Sequence, residues 1–237
     1  MKKLALLFAI SGLILANEFN NTATLAVSSK SGNTNLMNYS VGFNSTSEGD
    51  ISLFGMPLED SELSFSIGHS RGSYQETLLE NNGQVSLVFD YHANRIFSPF
   101  IFTTAEYDSM ANLERRANVG LGAKWRFNAF LSLSVAGLFE QELYTGDDVN
   151  NFGRLSIRPK YKKTYDSGIS VSWIYFYQPA FNDFSNFLLS NSLSVGIKTQ
   201  VDWLSISISA KDLYNSQPAA GTQKRDVSAT LGFTASF

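Results

Sequence analysis

The chain contains no cysteine, only two histidines and five prolines in 237 residues. The missing thiols exclude a disulfide framework and a lipid-modified lipoprotein N-terminus. With two separated histidines, no zinc set can be assembled unless carboxylates complete it. Charge is sparse: 16% of residues are Asp, Glu, Lys or Arg, against ~25% in an ordinary soluble domain. The net charge of −3 is too small to imply nucleic acid or another polyanionic partner. Long apolar runs are missing too. After residue 16 no segment reaches the ~20 consecutive apolar residues that a membrane helix needs. Even so, 43% of the chain is hydrophobic and 14% aromatic. A chain that is oily on average but never oily in a row distributes its apolar residues periodically. Alternating strands do this, and lipid is met only by helices or by closed barrels.

The clearest periodicity closes the chain. Val227, Ala229, Leu231, Phe233, Ala235 and Phe237 alternate with Ser228, Thr230, Gly232, Thr234 and Ser236. A side-chain period of two makes a strand with one oily and one wet surface. Its aromatic end resembles the assembly signal of bacterial outer-membrane barrels, which makes Leu231, Phe233 and Phe237 the expected contacts for the barrel-assembly machinery. At the other end, Lys2 and Lys3 precede an apolar run from Leu4 to Ala16. That run is too short to span a bilayer and reads as a secretory signal peptide cleaved after Ala16. The expected division is a signal peptide over 1–16 and a barrel over 17–237.

Between these ends, alternation and turn chemistry predict an all-β, antiparallel transmembrane barrel of about twelve strands, within a range of about ten to fourteen. The first two strands lie near Thr22–Lys30 and Leu36–Asn44, the third carries Leu63, Phe65 and Ile67, and the fourth Val85, Leu87, Phe89 and Tyr91. The rest fall near 98–108, 115–127, 129–143, 152–164, 168–179, 187–201, 203–214 and 226–237. In the fifth, Phe100 and Phe102 compete with Ile101 and Thr103 for the outside. Barrels of this type have short periplasmic turns and longer outer loops. Asn94-Arg95, Asn128, Asp166–Gly168 and Asp202 fit the short set, and Arg71–Gly83, Thr145–Asn151 and Asn215–Lys224 the long one. The stretch 45–60 breaks the rule and reads as an insertion or a mispaired region. Trp125, Phe127 and Trp203 fall where an aromatic girdle belongs.

Two segments carry a resemblance. Ser31-Gly-Asn-Thr-Asn35 joins the first two strands, and Phe97–Phe127 contains Ala105-Glu-Tyr-Asp108, Glu114-Arg-Arg116 and Val119-Gly-Leu-Gly122. Together they resemble an uncharacterised family of bacterial barrels known as salt-induced outer membrane proteins, the YdiY-like group. The resemblance implies a Gram-negative outer-membrane location and a barrel architecture. It implies no substrate and no catalytic residue.

With odd positions of the sixth to eighth strands outside, the even ones enter the lumen. Arg154, Arg158, Lys160 and Lys162 then form a basic ladder, with Glu140 and Glu142 on the neighbouring strand. A turn centred near Asp148 sets Glu142 opposite Arg154, and one centred on Ala111 sets Glu106 opposite Arg116. Rings of Arg and Lys favour anions in pores, so one expectation is a narrow anion-preferring channel or envelope-stress barrel passing small solutes or ions. The competing expectation is a lumen filled by its own charge pairs, since eight strands are plugged by side chains and ~16–18 leave a channel. A second class is a lipid-modifying enzyme of the lipase or deacylase kind. His69 and His92 lack the spacing to a serine that such enzymes use, so no catalytic residue is expected. A soluble secreted β-sandwich ranks last, because its strands average ~5–6 residues. At the outer rim, His69 and Arg71 are candidates for lipopolysaccharide phosphates. Gly146–Asn151 lacks the spacing of a calcium loop, and no metal or cofactor is expected.

Overall fold

A computed structural model of the chain describes residues 19–31, 36–53, 56–74 and 77–237. The predicted signal peptide lies outside the described residues. Twelve strands follow in order: β1 (Phe19–Ser31), β2 (Leu36–Leu53), β3 (Met56–Tyr74), β4 (Thr77–Asp90), β5 (Phe97–Asp108), β6 (Leu113–Arg126), β7 (Leu131–Tyr144), β8 (Asn150–Thr164), β9 (Ile169–Ala180), β10 (Asp183–Lys198), β11 (Leu204–Asn215) and β12 (Arg225–Ser236). Each pairs antiparallel with its sequence neighbours, and β12 returns to β1 to close the barrel. The closing register runs from Thr22 opposite Ser236 to Ser31 opposite Val227. Asn21 and Phe237 complete the seam with two backbone hydrogen bonds of 3.1 and 3.0 Å. Closure leaves no sheet edge along the wall, which rules out the sandwich.

The alternation divides cleanly into faces. Leu25, Val41, Ile67, Val119, Leu121, Phe139, Leu193, Ile208, Leu231 and Phe233 are exposed on the outside. Their sequence neighbours Ala26, Gly120, Leu138, Glu140 and Gly232 point inward or are buried. The fifth strand settles the same way: Phe100 is 8% exposed and Ile101 52%, so the phenylalanine faces the lumen. Large apolar side chains exposed on so many strands of one outer face mark a surface that meets an apolar environment. Gly120 is required by close approach, since a Cβ there would lie 2.5 Å from the Phe102 ring.

The end of the barrel that holds both termini carries the aromatic girdle. Phe97 meets Trp125 edge-on at 5.4 Å and Phe130 meets Tyr161 at 5.6 Å. Lys163 lies over the rings of Phe130 and Tyr165. Phe127 and Trp203 stand exposed at the same end.

Connection lengths do not alternate as expected. Arg71–Gly83 is not a loop: β3 and β4 stay paired until Tyr74 meets Thr77. Among the distal connections, only 216–224 is long. Nor is 45–60 mispaired. It is a continuation of the β2–β3 ladder to Leu53 opposite Met56. The described pairing of β1 with β2 runs to Phe19 opposite Ser47, and β4 leaves β3 at Glu62, so among the described residues 48–61 continues as a two-stranded ribbon at the terminal end. A register shift after Gly49 bends it, with Gly49 at φ 117 and Asp60 at φ 50. Asp60 ties it to the β4–β5 connection by accepting from Ala93 N at 2.5 Å and Asn94 Nδ2 at 2.7 Å.

Candidate functional site in the barrel lumen

The inward positions of β5 to β8 bring the predicted charges together in two tiers. In the distal tier, Glu106, Arg116, Glu142 and Asn150 occupy one cross-strand row. Arg116 donates to Glu106 Oε1 at 2.7 Å and to Glu142 Oε2 at 3.0 Å, and its Nε lies 3.7 Å from Glu140. It also donates to Tyr144 Oη at 3.0 Å. Arg154 gives Glu140 Oε1 a 2.6 Å bond from Nε and reaches Asn186 Oδ1 at 3.1 Å from Nη1. Arg154 and Glu140 are each 1% exposed. A pair this deep holds only because further hydrogen bonds satisfy both partners. Asn118 supplies one to Glu140, at 3.3 Å, and Thr104 donates to Asn118 in turn. Asn215 of β11 donates to Tyr144 Oη at 3.1 Å, linking strands that are not neighbours in the wall.

The predicted pairing of Glu142 with Arg154 is corrected by this register. The β7–β8 ladder sets Glu142 opposite Asn150 and Leu138 opposite Arg154. The hairpin turns about Gly146, whose φ of 85 suits glycine, and not about Asp148. Arg154 therefore sits deeper in the barrel and takes Glu140 as its partner. It belongs to the packed wall and not to an open basic ladder.

The terminal tier differs. Lys124 pairs with Asp90 at 2.9 Å, both buried, and Ser98 donates to the Tyr91 carbonyl at 3.0 Å. Arg158 makes no ion pair with a described residue; its one hydrogen bond is to Ser134 Oγ, at 3.4 Å. Its guanidinium lies 5.7 Å from the Phe100 ring centroid and 5.5 Å from that of Phe176, within cation–π range. Lys160 stands within electrostatic reach of Arg158, Lys162 and Lys124 on one side and Glu62 on the other. Neither Lys160 nor the exposed Lys162 forms an ion pair with a described residue. A cavity of about 700 Å³ runs from the 216–224 connection down to Arg158, Phe100 and Phe176.

Phe176, Tyr144, Asn186 and Asn215 escaped the sequence reading, which left Phe100 open between the two faces. The inward alternation of β5 and β9 was the signal that would have found the two phenylalanines. His69 faces outward and meets Tyr107 Oη at 3.0 Å, where the Tyr107 ring covers Gly83. His92 sits in the β4–β5 connection, stacked on Tyr91 at 3.8 Å. Among the described residues no cluster of three or more His, Asp or Glu is arranged to hold a metal.

A family described as "Protein of unknown function, DUF481" matches residues 23–237. The chain belongs to that family. No curated protein sequence matches it. Among solved structures, this DUF481 barrel is similar to the NanC porin, at 14% identity and a TM-score of 0.58, covering 90% of this chain and 98% of that one. It is also similar to the KdgM porin solved with disordered oligogalacturonate, at 10% identity and a TM-score of 0.50, covering 91% and 99%. At these identities the likeness shows a shared fold, that of porin barrels.

Proposed function

We propose that this protein is an outer-membrane barrel that forms a narrow, anion-preferring passage. One observation carries the reading: Arg158, Lys160 and Lys162 line one inward face of β8 without ion-pair partners among the described residues. The acids of the distal tier are occupied by Arg116 and Arg154. Unneutralised cations in a low-dielectric lumen set the sign of the ions admitted. The apolar exterior and terminal aromatic girdle support insertion in lipid, with export by the 1–16 segment and assembly through Leu231, Phe233 and Phe237. Outward His69 and Arg71 offer donors to lipopolysaccharide phosphate. His69 is engaged by the Tyr107 hydroxyl, and we read its role as passive. The resemblance to the salt-induced group supports a place in the envelope's response to salt, which transcript levels across a salt series would test.

The decisive measurement is the reversal potential of the reconstituted protein in a planar bilayer under a salt gradient. Anion preference is expected, and Lys160→Gln with Lys162→Gln should move the ratio toward unity. Electrical silence, or cation preference in the unaltered protein, overturns the reading.

A further inference from the structure

Arg158 is a lumen guanidinium that makes no ion pair with a described residue, although Asp90 and Glu62 act on it electrostatically from further off. Arg116 spreads its donors over Glu106, Glu142 and Tyr144, and Arg154 over Glu140 and Asn186. Arg158, with five N–H donors available, uses one in a long bond to a serine. Phe100 and Phe176 flank it, which lowers the local dielectric and strengthens any charge–charge contact made there. It forms the floor of the 700 Å³ cavity, a volume suited to one small solute. The wall above is amide and hydroxyl: Asn82, Gln84, Ser86, Thr104, Asn118 and Gln178 line it. Higher up, Lys211, Lys224, Glu80 and Asp226 line the same chamber, and the acids Glu106 and Glu140 are held there by Arg116 and Arg154.

We infer that this chamber is a binding site for an organic monocarboxylate with a hydroxyl-rich body. The carboxylate seats on the Arg158 fork, the geometry in which guanidinium and carboxylate make two parallel bonds. The hydroxyls exchange hydrogen bonds with the amide and hydroxyl wall, and the aromatic pair keeps water from the ion pair. The inference deepens the channel reading by naming its solute class and rests on the same lumen. It is nevertheless read out separately, because binding does not require conduction.

The test uses the purified full barrel in detergent, with gluconate as probe and sorbitol as its uncharged counterpart. Isothermal titration should show gluconate binding at least tenfold more tightly than sorbitol. Arg158→Gln should abolish this preference, and Arg158→Lys, which keeps the charge but loses the fork, should weaken gluconate several-fold. Either variant suffices if the other fails to fold. Equal affinity for gluconate and sorbitol, or unchanged gluconate affinity in a folded Arg158 variant, overturns the site. Gluconate binding by an electrically silent barrel would retain the site and reject the channel. Anion conduction without gluconate binding would do the reverse.

Discussion

Individual side chains in this lumen differ in what holds them. Arg154 is locked by Glu140 and Asn186 inside the wall, so replacing it removes a buried partner and not a mobile charge. Arg154→Met should cost about 3 kcal/mol, near the lower end for breaking a buried pair, because Arg116 still stands 3.7 Å from Glu140. Urea unfolding of the lipid-reconstituted barrel measures this, and a loss under about 0.5 kcal/mol, the level of an exposed pair, would show the pair to be dispensable. Lys162→Gln, at an exposed position, should leave stability unchanged within about 0.5 kcal/mol. The Glu106–Arg116 contact was legible because the β5–β6 connection is symmetric about Ala111. Arg154 was misplaced because its partner depends on which of Gly146, Asp147 and Asp148 turns the chain, and local composition does not separate them.

At the scale of strands, the two faces follow from the period of two and were readable throughout β6 to β12. The prediction that belongs here is a contrast between faces. Leu133→Arg or Val195→Arg should destabilise the barrel by ~2–4 kcal/mol, whereas Ser207→Arg, on the inward side against Gly232, should be much milder. Equal losses on the two faces, in the same unfolding measurement, would show the register to be wrong. The lengths of β2 and β3 were not legible. Ser, Gly, Asp and Pro in 45–60 read as turn chemistry, yet cross-strand pairing beyond the wall outweighs these local preferences. The expected long loop over Arg71–Gly83 failed for a similar reason: its polar residues serve as strand positions wherever a partner strand continues beside them.

For the whole molecule, closure decides stability, because every strand is held on both sides only once β12 meets β1. The Asn21–Phe237 bonds finish that seam. Removing Phe237 should therefore lower the yield and rate of assembly, followed by heat-modifiable mobility, while barrels that do close keep the conductance of the unaltered protein. Twelve strands, antiparallel order and closure were all accessible from periodicity and chain ends. Whether the lumen is filled was not, because filling depends on inward side chains from distant strands, such as Tyr144 and Asn215, meeting across the interior.

The ribbon at 48–61 gives this otherwise seamless cylinder a place where the chain can be opened without opening the wall. A protease acting between Leu53 and Met56 would divide the polypeptide into a piece holding β1 and β2 and another holding the remaining ten strands. Those pieces would stay zipped by two intact ladders, β1 to β12 and β2 to β3. The nicked protein should migrate as one species when unheated and as two fragments after boiling, making this ribbon a natural point for splitting the barrel into complementing pieces.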